Sequence, residues 1–392
     1  MRTRHSRPAD RRGFALAVAL FALVVIGALI AGVFFASTQE YRVGRNTLTQ
    51  QRAFAIAELG LNRAFNSWSA NSASYRALAV GGIATADTTV DGGVARVKVT
   101  RLNATSFWVV SEGIAGGDAM TEARRKTSGV MRFQMPSINF LGALTLRGSA
   151  RIGGSSQING GDQNPTGWTA TCPTASGGMP GVVVDSLNHI SYSGNTYSVS
   201  GVPGGVVANP MARDTSTYFH YGDMEWADLV RSATVPVPAG ANYPRIWYDS
   251  SITVLNGVST VRCRTATITN WGQVTRTTPA AGICEDYFPI IYAAGDLSIQ
   301  GGAGQGILLV AGDLSVQGGF EFYGPVIVRG TLRTSGTGGH FNGGVMAANI
   351  ELDANTVLGD AIVNYSSCAI NQALTGSATP QWVDHRAWSE LF

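Results

Sequence analysis

The sequence predicts an α+β protein in which a long N-terminal transmembrane α-helix and a small antiparallel sheet precede a mainly-β domain. Three observations carry this expectation: an uncharged 24-residue run at Gly13–Ala36, strand-like alternation between Ala95 and Phe133, and glycine-bounded apolar segments recurring every 17 or 18 residues. The recurring segments read first as a parallel β-helix, with a β-sandwich as the alternative.

The 392 residues suffice for two or three domains with a sizeable core. Hydrophobic residues make up 45% and charged residues 14%, a balance that excludes a disordered chain. The 49 glycines fit turn-rich β structure. Arg2, Arg4, Arg7, Arg11 and Arg12 against Asp10 give residues 1–13 a charge of +4; subtracting it from the total of +3 leaves −1. The basic balance belongs to the N-terminal tail, and no nucleic-acid partner is expected.

At 1.5 Å per residue, Gly13 to Ala36 forms about 36 Å of helix, enough to cross a ~30 Å hydrocarbon core. The preceding arginines keep that end cytoplasmic and place the rest in the periplasm. A cleaved secretory signal fits less well, because its apolar region spans about 7–15 residues before a small-x-small site. The stretch Val33-Phe34-Phe35-Ala36-Ser37 offers no such site. A plain single-span anchor is the simpler alternative. Beyond the span, Phe54, Ala57, Leu61 and Phe65 recur at helical spacing as an apolar stripe.

The junction Arg11-Arg12-Gly13-Phe14-Ala15-Leu16 resembles the prepilin leader of type IV pilins and pseudopilins. Residues 40–61 resemble the corresponding region of PilX-type minor pilins. The matching positions are Glu40, Arg42 and Asn46, then Ala53, Phe54, Ala57, Glu58, Gly60 and Leu61. The resemblance spans about residues 11–66. It implies cleavage by a prepilin peptidase between Gly13 and Phe14, N-methylation of Phe14, and a helix packed partly on its own domain and partly on other subunits. It departs from most major pilins at the fifth mature residue, here Val18, where they carry a glutamate that neutralises a neighbour's N-terminal ammonium. An unpaired ammonium in an apolar filament core costs several kcal/mol. The K-type pseudopilin and many PilX-type proteins share the absence, which implies a tip or priming position.

Four cysteines, Cys172, Cys263, Cys284 and Cys368, lie beyond the span, and none forms a CxxC pair; zinc and thioredoxin-like sites are not expected. An even number on the exported side points to two disulfides. Of the three pairings, Cys263–Cys284 closes a short loop and leaves Cys172–Cys368. Buried thiols are the alternative.

Residues 67–90 read as a linker. Ala95–Thr100, Phe107–Ser111 and Ala119–Phe133 read as three strands, with Lys98 and Lys126 solvated. From Ile138, Gly142–Gly148 has the form of Gly295–Gly301 and Gly312–Gly318. Three columns follow: Leu297, Leu314, Leu332, Ile350; Ile299, Val316, Thr334, Leu352; and Leu309, Ile327, Val345, Val363. Stacked at ~4.8 Å, such columns build a continuous apolar interior. The pattern resembles the short-rung β-helices of bactofilin-like proteins. Residues 160–285 read as an insertion with one short helix at Met224–Val230, strands near Ile246 and Ile252, and a core containing Trp226, Trp247 and Trp271.

β-Helices include polysaccharide enzymes, which makes Asp296, Asp313, Glu321, Glu351, Asp353 and Asp360 the candidate carboxylates. Asp296 and Asp313 hold equivalent corners, where turn capping is the expectation; one aspartate per rung is too sparse for calcium. His5, His189, His220, His340 and His385 are scattered, with no HExxH, GxSxG elbow or Walker loop. The glycine runs 302–306 and 336–344 read as coil corners. No catalytic residue, metal or cofactor is expected.

The organisation expected is a basic leader at 1–13, a transmembrane and amphipathic helix at 14–66, an antiparallel β region at 67–135, and a glycine-rich β-helix domain at 136–392 interrupted at about 160–285. The function expected is a minor pilin-like structural subunit of a type IV pilus or type II secretion filament, not an enzyme. Its partners would be other pilin or pseudopilin subunits, the prepilin peptidase, the inner-membrane assembly machinery and membrane lipid. It would sit in the inner membrane and then in the pilus or at the cell surface. The alternative is a membrane-tethered β-helix protein that binds or cleaves polysaccharide.

Overall fold

A computed structural model describes residues 12–68, 75, 78–90, 92–116, 122–255, 258–275, 283–349, 356–383 and 388–391. The leader through Arg11, and Ile350, Glu351, Leu352, Asp353 and His385, lie outside the described residues. The chain divides into two compact units, 1–132 with 380–392, and 133–379.

In the first unit a single helix, α1 (Arg12–Asn66), runs for 55 residues, about 82 Å at 1.5 Å per residue. Four strands follow: β1 (Ile83–Val90), β2 (Gly93–Arg101), β3 (Ser106–Ala115) and β4 (Ala123–Gln134). They pair antiparallel in chain order. The alternation in β2 buries Ala95, Val97 and Val99 and exposes Arg96 and Lys98, as period-2 geometry requires of a sheet covered on one face. Ala53, Ile56, Ala57, Gly60, Leu61 and Ala64 are the buried helix positions, two or three per turn on one side. They are small because helix and sheet come very close: a Cβ on Gly60 would meet the Ala95 Cβ at 2.8 Å, and Gly93 and Gly113 are blocked by backbone. The stripe read from sequence is therefore corrected in phase. Phe54 and Phe65 flank the buried face and are half-buried, and Phe65 stacks on Trp382 at 5.2 Å.

Thr379–Trp382 joins the β4 edge, and Trp388–Leu391 pairs antiparallel with β4 at 126–129. The expectation of one domain over 136–392 fails at this point. The last residues complete the first unit, and Trp382 lies over Gly129, where a side chain on β4 would collide with its ring.

The second unit is a stack of coils with three parallel strand columns. One column runs Val235–Val237, Ile290–Ala293, Ile307–Val310, Val326–Val328, Val345–Ala347, Leu144–Leu146, Val182–Val184 and Val206–Ala208. A second runs from Ala241–Tyr243 through Leu297–Ile299, Leu314–Val316, Leu332–Thr334, Thr356–Gly359 and Ala150–Gly153 to Ile190–Ser193. The third joins Ala303–Gln305 to Ser198–Ser200. Parallel pairing throughout is that of a β-helix; the strands of a sandwich would run antiparallel. Gly324 and Gly343 turn the corner between the first and third columns at φ +131° and +150°. At Gly324 the carbonyl of Gly306 in the next coil occupies the place of a Cβ.

The winding order differs from the expected one. The chain enters mid-stack at Leu144, builds coils to Ala208, crosses to the opposite end at Val235 and winds back to Tyr365. Residues 160–285 thus contribute coils at both ends instead of a plain insertion. The crossing segment contains a helix at Trp226–Arg231, whose Glu225 and Asp228 form a capping box. It covers an apolar outer face, where Tyr218, Tyr221, Met224 and Leu229 pack in one cluster with Leu309, Ile327 and Met346. The strand expected near Ile252 is Ser250–Leu255, which pairs antiparallel with Val258–Cys263, and Ile246 bridges Gly302.

The columns read from sequence hold only in part. Leu297–Leu314–Leu332 and Ile299–Val316–Thr334 are in register. The next step is 24 residues, Arg333 to Val357, and the described columns continue there; Ile350 and Leu352 lie outside the described residues. Leu309 pairs with Ile327, but Ile327 pairs with Met346, not Val345, and Phe341 pairs with Val363. Leu309 and Ile327 belong to the outer cluster; Leu308, Val310, Val326, Val328, Val345 and Ala347 fill the interior. Strands buried on both faces are apolar throughout, which hides the side that faces in.

Disulfides join Cys172 to Cys368 and Cys263 to Cys284. The first closes 196 residues and ties the outer helix Ser367–Gly376 to the segment carrying buried Trp168. Cys172→Ser is expected to cost about 2–5 kcal/mol, and more than Cys263→Ser, whose loop is 21 residues. Denaturant midpoints of the oxidised variants measure both; equal losses would contradict the loop-length argument.

Candidate functional site

The candidate site is the free part of α1. From Phe14 to Leu48 every described side chain is exposed, including Phe14 at 77%, Phe21 at 70%, Phe34 at 72% and Val18 at 50%. This segment contains a window of mean hydropathy 2.9, long and apolar enough to cross a membrane. Its hydroxyls are turned onto the helix's own backbone. Thr38, Thr47 and Thr49 donate to the carbonyls of Phe35, Val43 and Arg45 at 2.8–2.9 Å. A hydroxyl satisfied in this way adds little desolvation cost when the surface is covered.

The two motif blocks separate in space. Gly13, Phe14, Val18, Glu40 and Arg42 lie on the free part. Asn46 begins the region next to the sheet and lines an open cleft of about 370 Å³ with Thr49, Gln50, Glu122, Ala123, Arg124 and Arg125. Ala53, Ala57, Gly60 and Leu61 form the sheet-facing surface, with Phe54 and Glu58 half-buried beside it. The second block therefore has a structural explanation in close helix–sheet packing. Glu40 and Arg42 of the first have none among the described residues.

No protein-family model matches the chain, and no curated relative matches it in sequence. Among solved structures, the crystal structure of the competence-associated pilin ComZ from Thermus thermophilus aligns at 10% identity over 88% of this chain and 97% of that chain, with a TM-score of 0.26. That score carries no argument, and the reading below rests on α1 and its sheet.

Of the candidate carboxylates among the described residues, three are turn caps. Asp296 accepts from the Asp313 amide at 2.8 Å, and Asp313 accepts from the Thr331 amide at 2.7 Å, one coil to the next. Asp360 accepts from the Ser155 amide and hydroxyl, which hold its carboxyl below the ordinary range. Glu321 accepts from Tyr323 at 3.1 Å and lies 3.9 Å from His340. His189 pairs with Asp185 and His220 with Glu225. Among the described residues no three metal-ligating side chains converge.

The glycine runs are not corners alone, since Ala303–Gln305 and Gly339–Ala347 are strands. Trp271 is buried in the coil interior and Trp226 is half-buried on the outer face, whereas Trp247 is 45% exposed beneath the Arg245 guanidinium at 4.6 Å. Sequence reasoning missed Arg147 and Arg329. The available signal was that each stands between the end of a strand and a glycine, at Leu146-Arg147-Gly148 and Val328-Arg329-Gly330.

Proposed function

We propose that this chain is a minor pilin-like structural subunit of a type IV pilus or type II secretion filament, positioned at the tip or priming assembly. One observation carries the reading. A single helix spends its C-terminal third on an antiparallel sheet and leaves the preceding apolar residues from Phe14 to Leu48 without a partner among the described residues. Bilayer lipid before assembly and other pilin helices after it are the two environments that accept such a surface. The leader up to Gly13 directs insertion with the N-terminus cytoplasmic and the β units periplasmic. A prepilin peptidase then cuts before Phe14, and the inner-membrane assembly machinery extracts the helix into a filament that reaches the cell surface. The resemblance of Arg11–Leu16 and of residues 40–61 to PilX-type minor pilins supports this sequence of events.

Mass spectrometry of the mature protein tests the reading; a chain beginning at N-methylated Phe14 is expected, and a chain intact from Met1 that never copurifies with pilin subunits would end it. The tip position has a separate test. Val18→Glu supplies the carboxylate that internal subunits use, so its recovery in sheared filaments is expected to rise several-fold over wild type. Unchanged recovery removes the support for a tip or priming role.

A further inference from the structure

We propose that the outer face of the coil stack carries a binding site for an acidic glycan, whose carboxylates are held by Arg329 and Arg147. The site lies within the second unit and does not depend on the filament reading. Three features define it.

The first is an unsatisfied cation. Arg329 is half-buried at the end of Phe320–Val328, and its buried Nε has no hydrogen-bond partner among the described residues. No described carboxylate forms an ion pair with it. Its terminal nitrogens are not shut off from water and make no hydrogen bond among the described residues, and their planar fork matches a carboxylate bidentately.

The second is an aromatic wall. The Arg329 guanidinium carbon lies 5.6 Å from the Phe219 ring centroid and 5.9 Å from that of Trp226. The two rings meet edge to face at 5.8 Å, and both are half-buried. A cation–π brace accounts for the rings but leaves the terminal nitrogens of Arg329 without an acceptor among the described residues. Apolar ring surface next to an oxyanion acceptor is what the carboxylate-bearing ring of a uronic acid requires.

The third is repetition. Val328 pairs with Ala347, and Ala347 with Leu146, so Arg329, Ala348 and Arg147 follow one another in a single column. At the strand spacing the two arginines are two coils, about 10 Å, apart. Between them stands only buried Ala348. Arg147 uses Nε on the Arg213 carbonyl at 3.1 Å, which fixes the side chain. In the next coil Asp185 bonds His189 at 2.5 Å, and among the described residues no carboxylate forms an ion pair with Arg147. Two fixed guanidinium groups along the stack axis match a polymer with repeated carboxylates better than a single small anion.

Full-length protein in detergent micelles, titrated by calorimetry with oligogalacturonate, tests the site. Comparison titrations use a neutral cello-oligosaccharide of equal length, inorganic phosphate and a duplex DNA oligomer. Saturable binding of the oligouronate is expected, with Arg329→Ala and Arg147→Ala each weakening it tenfold or more at an unchanged thermal midpoint. Arg329→Lys is expected to lose most of that affinity too, because an ammonium keeps the charge but not the fork. Absence of oligouronate binding, equal binding of the neutral sugar, phosphate or DNA, or affinity untouched by both alanine variants would overturn the proposal. If Arg329→Ala fails to fold, Arg147→Ala, which leaves the aromatic contacts in place, decides it.

Discussion

Gly113→Val is expected to lower the stability of the helix–sheet unit by about 3 kcal/mol, at the upper end of overpacking costs. A Cβ at this position on β3 would fall well inside van der Waals contact with the Ala53 carbonyl oxygen and the Ala57 amide nitrogen of α1. These are backbone atoms of a continuous helix, so no rotamer change relieves the collision. The helix must lift off the strand, which opens the Ala53, Ile56 and Ala95 cluster beneath it. Gly44→Ala is the matching control. It lies on the same helix with nothing within 4 Å of its added methyl, and removing glycine from a helix interior is worth roughly 0.5–1 kcal/mol. Denaturant unfolding of the detergent-solubilised protein should show a lower midpoint for Gly113→Val and a midpoint at or above wild type for Gly44→Ala. Equal midpoints for wild type and Gly113→Val would refute the close-packing account.

The contrast between these glycines bears on function. Gly27, Gly32 and Gly44 meet nothing in the chain, whereas Gly60, Gly93 and Gly113 are each enclosed by it. A substitution at Gly60 therefore acts through folding. One at Gly27 or Gly32 leaves the folded unit unchanged, and any defect it causes in filaments reports on contacts outside the subunit.

Element types were legible in the sequence wherever a face is exposed. The uncharged run at 13–36 shows itself by length and lack of charge, with every side chain from Phe14 on exposed, whereas β2 and β3 have one wet side, which gives them their period of two. The coils repeat visibly at 17 and 18 residues because glycine corners mark them. Which residue faces inward in Ile307–Val310 was not legible, since all four side chains are buried and only the outer cover of Tyr218, Met224 and Leu229 explains why. The winding order was hidden as well. Nothing local in Val345–Ala347 announces that its next neighbour is Leu144–Leu146, about 200 residues earlier. For the candidate site, the motif residues Glu40 to Leu61 were found as a string, but only the fold separates Ala53, Ala57 and Gly60, which serve the sheet, from Glu40 and Arg42, which contact nothing in it.

Phe322→Ala is expected to destabilise the coil stack by about 4–5 kcal/mol, near the top of the range for buried aromatic truncation. The ring is fully buried between Phe320 at 6.2 Å and Trp271 at 6.4 Å, and Trp271 in turn fits only because Gly304 in the adjacent coil has no side chain. Gly304, Phe322 and Phe341 are consecutive in one column, held by parallel ladders on both sides. Those ladders fix the coil spacing, so the walls of the void do not collapse, and the cost of the cavity adds in full to the lost burial. Phe322→Leu keeps most of the volume and is expected to cost under about 2 kcal/mol. Because the coils form one continuous interior, the loss should appear as a single cooperative shift of the unit's unfolding midpoint and not as local fraying. A Phe322→Ala midpoint within experimental error of Phe322→Leu would mean that the interior at Trp271 is loosely filled, against the packing described here.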